Sequence, residues 1–234
     1  MRKEYSPKNH GCYAIRLSIA FFFLLQTANA LYVEPVTTSA DRHALADLRF
    51  DEWIIEEGGN GDSFQSRQAF RMATTDIMEE RKGAVAFLAR TDDTNTPVGA
   101  AELSPIEVED VVISCEDGNC KPPSILYVTD VLTSRDHRRK GVAMSLMEAV
   151  EAEAIVRSGS HLLLHVDPDN SAALKFYQQK KIGYKSPSSE LMKQIDALKL
   201  AKSANTVGQI LLSKVLPKPK KKRLKTAGKG FGRS

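Results

Sequence analysis

The sequence is poor in residues that build disulfide or metal scaffolds. Only three of its 234 residues are cysteine. Cys12 lies in the first thirty residues, whereas Cys115 and Cys120 flank the turn-forming stretch EDGN. These two could form a local disulfide in an oxidising compartment or stay as two thiols. Because no histidine or further cysteine pair lies near them, the sequence predicts no metal site.

A long apolar run is also missing. The longest is LSIAFFFLL at residues 17–25, shorter than the roughly 20 residues that span a bilayer. Basic residues precede it and Ala28-Asn29-Ala30 follows it, so residues 1–30 are predicted to be a signal peptide rather than a buried helix. Its removal would leave no stable membrane insertion. The secretory route would then lead to secretion, the endoplasmic reticulum lumen, or an algal plastid, with residues 31–41 as a short transit segment.

Acidic residues are absent from residues 217–234, where eight residues are lysine or arginine. This stretch has little to bury, so we expect a basic, disordered tail that could contact a polyanion. Residues 31–216 carry 28 acidic and 21 basic residues, a net charge of −7. An acidic body argues against a genome-binding domain and favours a cationic partner.

Hydrophobic periodicity predicts one α/β domain over residues 42–216. The predicted helices are 43–57, 63–81, 142–159, 171–181 and 188–202. The predicted strands are 83–90 and 98–103, which form a hairpin, then 111–114, 124–134, 161–167 and 208–216. Strand, turn, helix, strand and helix follow one another over residues 124–181. This order predicts a βαβα unit with parallel strands.

The turn RDHRRKGVA connects the first strand of that unit to its helix. Arg138-x-x-Gly141-x-Ala143 stands at the helix start, where unpaired N–H groups and the helix dipole favour an anion. A solvated basic turn is the simpler alternative. The pattern is neither a Walker loop nor GxGxxG, which argues against ATP and NAD. The candidate pyrophosphate-binding residues are Arg138, Arg139, Lys140, Gly141, Val142 and Ala143.

A second motif follows about 30 residues later, with Asn170, Ala173, Phe176 and Tyr177 at the spacing Asn-x-x-Ala-x-x-Phe-Tyr. With both motifs in this order, residues 124–184 resemble the core of the GCN5-related N-acetyltransferase (GNAT) superfamily. The resemblance implies that family's fold from about residue 40 to 216: a mixed, twisted β-sheet flanked by helices around the βαβα unit. It also implies acetyl-CoA as the co-substrate and a primary amine as the acceptor.

The resemblance further implies roles for individual residues. The pantetheine arm of acetyl-CoA would lie between the two parallel strands, beside Val131, Leu132 and Thr133. Asn170 joins the cofactor-binding residues, and the Tyr177 phenol would protonate the leaving thiolate. The sequence departs from the family in placing Gly183-Tyr184 two residues late. It also has the predicted helix 188–202 where the family often has a short loop near the acceptor, so acceptor specificity is not implied.

His165 and Tyr127 are similar in context to a His and a Tyr in the catalytic subunit of N-terminal acetyltransferase complex E. There the two side chains hold a water that takes the proton of the amine, and His suits this role because its pKa lies near neutrality. Glu102 and Asp130 are competing candidates for the general base. The likeness extends to plastid GNAT enzymes and favours a protein acceptor.

Three functions therefore stay open at this point. The favoured one is acetylation of a protein or peptide at its N-terminal α-amine or at a lysine ε-amine. The second is acetylation of a small molecule or polyamine. The third is a non-catalytic module that binds acetyl-CoA and docks to a polyanion through the basic tail.

Overall fold

The computed structural model describes residues 31–55, 64–80, 83–106, 125–197 and 208–217. The predicted signal peptide, the predicted strand 111–114, Cys115, Cys120 and the tail from residue 218 lie outside these ranges. Within them, no helix has the length and apolar character needed to cross a membrane.

Strands and helices alternate along the chain. The strands are β1 (Leu31–Pro35), β2 (Val85–Thr91), β3 (Pro97–Pro105), β4 (Ile125–Thr133), β5 (His161–Val166) and β6 (Ile210–Val215). The helices are α1 (Ser39–Phe50), α2 (Phe64–Glu80), α3 (Val142–Val156), α4 (Ser171–Gln178) and α5 (Ser189–Ala197). A π-helical turn, Asp51–Ile55, continues α1, and a 3₁₀ turn, Arg135–His137, precedes α3.

The six described strands form one sheet in the order of the sequence. Neighbouring strands are antiparallel except β4 and β5, which are parallel because α3 crosses over between them. The predicted mixed α/β sheet, its hairpin and its central βαβα unit are thus confirmed.

Strand β1 was not predicted, and it extends the fold toward the N-terminus. It pairs antiparallel with β2, from Leu31 opposite Thr91 to Pro35 opposite Phe87. A capping box between Thr38 and Asp41 then starts α1. The predicted domain start at residue 42 is therefore wrong, because residues 31–41 already belong to the folded sheet and its first helix.

Each face of the sheet is covered by helices. On one face, Val142, Leu146 and Val150 of α3 pack in the main core together with Phe87 and Ala89. On the other face, Leu45 and Leu48 of α1 pack against Ala86, Leu88 and Ala100. Successive residues of β2 belong to opposite cores, because successive side chains of a strand point to opposite faces of the sheet. Coverage on both faces explains why β2 and β3 are almost continuously apolar.

The central strand β4 carries a β-bulge. Ala100 pairs with Leu132 and Glu102 pairs with Thr129, so Asp130 and Val131 together oppose Ala101. Asp130 has a φ of 54°, which is left-handed backbone for a residue other than glycine. On its other side, β4 pairs with β5 only from Ile125 to Tyr127. Beyond Tyr127 the two parallel strands separate, which opens a gap at their carboxyl ends.

One helix near this gap ends earlier than predicted, and a second is described over part of its predicted range. α4 ends at Gln178 rather than at residue 181, because the chain turns back at Gly183 (φ 78°) and the Tyr184 N–H donates to the Tyr177 carbonyl. This turn accommodates the late Gly183-Tyr184 and buries the Tyr184 ring. The predicted helix 188–202 is observed as α5, whose Leu191 and Ile195 form a small core cluster that also includes Tyr127.

Candidate active site

A cleft of about 640 Å³, here called the cofactor cleft, lies between the end of β4, the start of α3 and α4. Nine of the ten predicted cofactor-binding residues line it: Val131, Leu132, Thr133, Arg138, Arg139, Gly141, Val142, Ala143 and Asn170. The tenth, Lys140, is exposed and does not line the cleft. Two lining residues that the sequence analysis missed, Glu52 and Trp53, come from the π-helical turn.

The loop before α3 has the backbone geometry of an anion site. Arg139 (φ 64°) and Gly141 (φ 88°) both adopt left-handed backbone, and Gly141 caps the helix. The first intrahelical bond runs from the Ser145 N–H to the Gly141 carbonyl, so the N–H groups of the first helical turn have no partner within the helix. A Cβ on Gly141 would meet no atom within 4 Å. Glycine is therefore favoured by the backbone angle, and the space above it is open.

Among the described residues, Glu52 and Thr133 bind Arg138 at the mouth of the cleft. Its Nη2 donates to Glu52 Oε2 at 2.9 Å, and its Nε donates to the Thr133 carbonyl at 3.3 Å. The other carboxylate oxygen of Glu52 accepts from the Arg135 N–H at 3.1 Å. The π-helical turn is thus tied to the loop by a carboxylate, and this carboxylate also lines the cofactor cleft.

Asn170 positions α4 rather than reaching freely into the cleft. Its Oδ1 accepts a hydrogen bond from the Ala173 N–H at 3.0 Å, which caps the helix. Asn170 therefore orients the helix that carries Tyr177. In this arrangement the Asn-x-x-Ala-x-x-Phe-Tyr motif is a capped helix start followed, two turns later, by its buried tyrosine.

Tyr177 lies where two cavities meet. It lines both the cofactor cleft and a second, polar cavity of about 560 Å³, here called the acceptor cavity. Its ring contacts Phe176 and Tyr184 at centroid distances of 5.1 and 5.8 Å. Burial raises the pKa of Tyr177 above its ordinary value of 10.0. The phenol therefore stays neutral and able to donate a proton or hydrogen bond.

The acceptor cavity contains the predicted pair Tyr127 and His165. The Tyr127 hydroxyl lies 2.5 Å from His165 Nδ1, although the residues are 38 positions apart and on different strands. Both line the cavity, together with Trp53 and Asp130. The last paired position of β4 with β5 is Tyr127 itself, so the pair sits where the strands begin to separate.

The environment keeps both members of this pair neutral near pH 7. Burial lowers the pKa of His165 below 6.5. Burial also raises the pKa of Tyr127 above 10.0, with a smaller contribution in the same direction from the Asp130 charge. A neutral imidazole has one N–H and one acceptor nitrogen. If Nδ1–H donates to the Tyr127 oxygen, Nε2 keeps its lone pair and can accept a proton.

The competing bases Glu102 and Asp130 are joined by one buried guanidinium. Arg49 Nη2 donates to Glu102 Oε2 at 3.0 Å and to Asp130 Oδ2 at 2.7 Å. Glu102 is 1% exposed and does not line the acceptor cavity, whereas Asp130 does. One oxygen of each carboxylate is therefore engaged by Arg49, whereas His165 contacts Tyr127 through Nδ1.

The part of the chain that the structure describes holds no group of three or more His, Cys, Asp or Glu side chains suited to a metal ion. The reactive groups in the two cavities are instead a histidine, phenols and backbone amides. Such groups can accept a proton, donate a proton and bind an anion.

Comparison with known proteins agrees with this architecture. The sequence profile of the acetyltransferase (GNAT) family matches residues 43–184. An acetyltransferase of the GNAT family from Staphylococcus aureus Mu50 superposes with a TM-score of 0.50 at 12% identity, over 80% of this chain and 100% of that chain. A protein assigned as an N-acetyltransferase from Lactobacillus plantarum gives 0.51 at 16% identity, over 81% and 100%.

At these identities the structural likeness shows the fold, whereas the sequence profile shows the family. No curated protein sequence matches the chain significantly. The range that the profile matches includes the nine predicted residues that line the cofactor cleft. The chain belongs to the acetyltransferase (GNAT) family, and it is an acyltransferase with acetyl-CoA as its co-substrate.

Proposed function

We propose that the protein transfers the acetyl group of acetyl-CoA to a primary amine on a protein or peptide, either an N-terminal α-amine or a lysine ε-amine. The observation that carries this proposal is the contact between Tyr127 and His165 in a cavity that meets the cofactor cleft at Tyr177. An amine in that cavity would have a base on one side and the thioester on the other.

The proposed mechanism assigns the proton to His165. The acceptor amine must be neutral to attack, and His165 Nε2 accepts its proton while Tyr127 accepts the hydrogen bond from Nδ1–H. Because burial lowers the pKa of His165, the imidazole is unprotonated at neutral pH. The nitrogen then forms a bond to the carbonyl carbon, and the carbon–sulfur bond breaks.

The leaving thiolate needs a proton, and Tyr177 is the proposed donor. Burial raises its pKa, so the phenol keeps its proton in the neutral pH range in which His165 is unprotonated. Arg138 and the N–H groups at the start of α3 bind the pyrophosphate, and Val131, Leu132 and Thr133 line the path of the pantetheine arm.

The experiment that tests this function is acetylation of a defined peptide pool. The protein comprising residues 31–234 is incubated with acetyl-CoA and the pool, and acetylated positions are mapped by mass spectrometry. Acetylation at α-amines or lysines supports the proposal. Binding of acetyl-CoA without acetylation of any peptide contradicts it. The same assay would then be repeated with polyamines and other small amines, which the acidic residues of the acceptor cavity also favour.

A non-catalytic, polyanion-docking role is the remaining alternative, and deletion of residues 217–234 separates it from the proposed function. An enzyme retains turnover on a peptide without this tail, whereas a polyanion-docking module loses salt-sensitive binding. We also propose the secretory route, with a plastid or a secretory compartment as the destination. N-terminal sequencing of the mature protein tests this by looking for Leu31 as the first residue.

A further inference from the structure

A buried ion cluster of Arg49, Glu102 and Asp130 lies under the acceptor cavity. One guanidinium contacts two carboxylates, so the three groups together carry one positive and two negative charges. The side chains of Arg49 and Glu102 are only 4% and 2% exposed, whereas that of Asp130 is 28% exposed. Among these three groups, Asp130 lines the acceptor cavity and presents the negative charge there.

The backbone and Arg49 together fix this carboxylate in place. Asp130 stands in the β4 bulge with a φ of 54°, a conformation that Asp and Asn tolerate better than most residues. Arg49 holds its Oδ2 at 2.7 Å and lies over the Trp53 ring at 5.6 Å. Trp53 also lines the cavity, so the Arg49 guanidinium positions two of its lining side chains, the Trp53 ring and the Asp130 carboxylate.

The other residues that line the acceptor cavity reinforce this charge. Asp167 is a second carboxylate at the cavity, and no lysine or arginine belongs to the lining among the described residues. A carboxylate close to the reacting nitrogen would favour its charged ammonium form, which cannot attack a thioester. The negative charge is therefore better matched to a different nitrogen of the acceptor.

We propose that the preferred acceptor carries a second positive charge, which binds at Asp130 while the reacting amine meets His165. This inference rests on the proposed function and adds the chemical class of the acceptor. Two sources provide this chemistry: a peptide with lysine or arginine next to its N-terminus, and a polyamine.

The test compares matched acceptor pairs that differ in one charge. The peptide pair has lysine or norleucine at its second position, with all other amines blocked, and the small-molecule pair is putrescine and butylamine. In the pair that belongs to the true acceptor class, we expect kcat/KM at low salt to be about tenfold higher for the member with two positive charges than for the member with one. The preference should shrink as ionic strength rises, because salt screens a partly exposed charge.

The variant Asp130→Asn removes the charge but keeps the bulge, since Asn tolerates positive φ and its oxygen can still accept from Arg49. We expect it to abolish the preference, so that kcat/KM for the dication falls to that of its singly charged partner. Asp92→Asn, at an exposed carboxylate in the turn between β2 and β3, is the matched control and should leave the preference intact.

The possible outcomes separate this inference from the proposed function. Equal turnover of both members in both pairs overturns the inference and leaves acetylation standing. A loss of turnover in Asp130→Asn that is equal for doubly and singly charged acceptors also overturns it, because Asp130 would then serve the bulge alone. Acetyl-CoA binding without turnover of any acceptor overturns both.

Discussion

The cofactor cleft and the acceptor cavity meet at Tyr177 but are built in different ways. The proposed phosphate end of the cleft is formed mainly by one continuous stretch, from Thr133 at the end of β4 to Ala143 in α3, and the start of that helix offers unpaired backbone N–H groups. The acceptor cavity instead depends on side chains from the π-helical turn, β4 and β5, such as Trp53, Asp130 and His165. A cofactor shared by a whole family can be held by backbone, whereas the choice of acceptor depends on side chains.

The boundary between the two cavities is where the chemistry is expected. Six residues line both of them: Trp53, Val131, Leu132, Asn170, Ala173 and Tyr177. If the cleft binds the cofactor and the acceptor cavity carries the acceptor chemistry, changes in the loop before α3 should alter binding of acetyl-CoA, and changes in the acceptor cavity should alter turnover. The five predictions below test this division.

The largest effect is expected for Gly141→Asp. The new carboxylate would stand at the pyrophosphate position, and like charges in contact cost several kcal/mol, so affinity for acetyl-CoA should fall at least about 1000-fold. Calorimetric titration measures the loss, and thermal melting checks the fold. Gly141→Asn is the matched control, since Asn has the same shape and tolerates the φ of 88° equally well. An equal loss in both variants would mean that backbone strain, not charge, is responsible.

The next effect concerns the base. His165→Ala should lower kcat about 100-fold and Tyr127→Phe somewhat less, both with acetyl-CoA affinity near normal. Steady-state kinetics and calorimetry measure the two quantities separately. If Glu102→Gln alone abolishes turnover while His165→Ala does not, the assignment of His165 as the base is wrong.

The pH dependence follows from the same pair. The base must be unprotonated, so kcat/KM should be constant at neutral pH and fall as the pH drops through the pKa of His165, which burial places below 6.5. On the alkaline side, the pKa values of Tyr127 and Tyr177 are raised above 10.0, so their titration causes no loss below that pH. A pH–rate profile of the wild-type protein with a peptide acceptor measures both limbs, and an acid limb above pH 7 would contradict the assignment.

A smaller effect is expected for Tyr177→Phe, at the boundary of the two cavities. A thiol has an ordinary pKa of about 8.5, so its thiolate leaves readily and a proton donor adds only about tenfold to kcat. The hydroxyl is removed while the buried ring keeps its contacts with Phe176 and Tyr184. Single-turnover kinetics measure the change, and an unchanged kcat would exclude the phenol as the acid.

The smallest effect is expected for Glu52→Gln. In the wild-type protein Arg138 Nη2 and the Arg135 N–H donate to separate oxygens of Glu52, and this change leaves only one acceptor oxygen for them. It also removes a negative charge from the wall of the cofactor cleft. Affinity for acetyl-CoA should therefore rise about threefold at low salt, as is typical of a partly exposed charge. Trp53 is the sole tryptophan of the chain and lines the cleft, so its fluorescence can follow the titration. Weaker binding would show that Glu52 orients Arg138 for the pyrophosphate.

The sequence by itself determined the phosphate loop and the capped helix of Tyr177. Each depends on a few neighbouring residues whose backbone preferences are local, such as Gly141 at a positive φ and Asn170 at a helix start. The pairing of Tyr127 with His165 was predictable only through resemblance, since nothing in the local sequence of either strand points to the other.

Only the tertiary structure decided the surroundings of the acceptor. Strand β1, the contact between Glu52 and Arg138 and the two ion pairs of Arg49 all join residues that lie 52 or more positions apart. The separation of β4 from β5 likewise depends on a bulge set by pairing with β3. Periodicity and capping report only on neighbours along the chain, so contacts that form when distant segments pack against one sheet leave no local pattern to read.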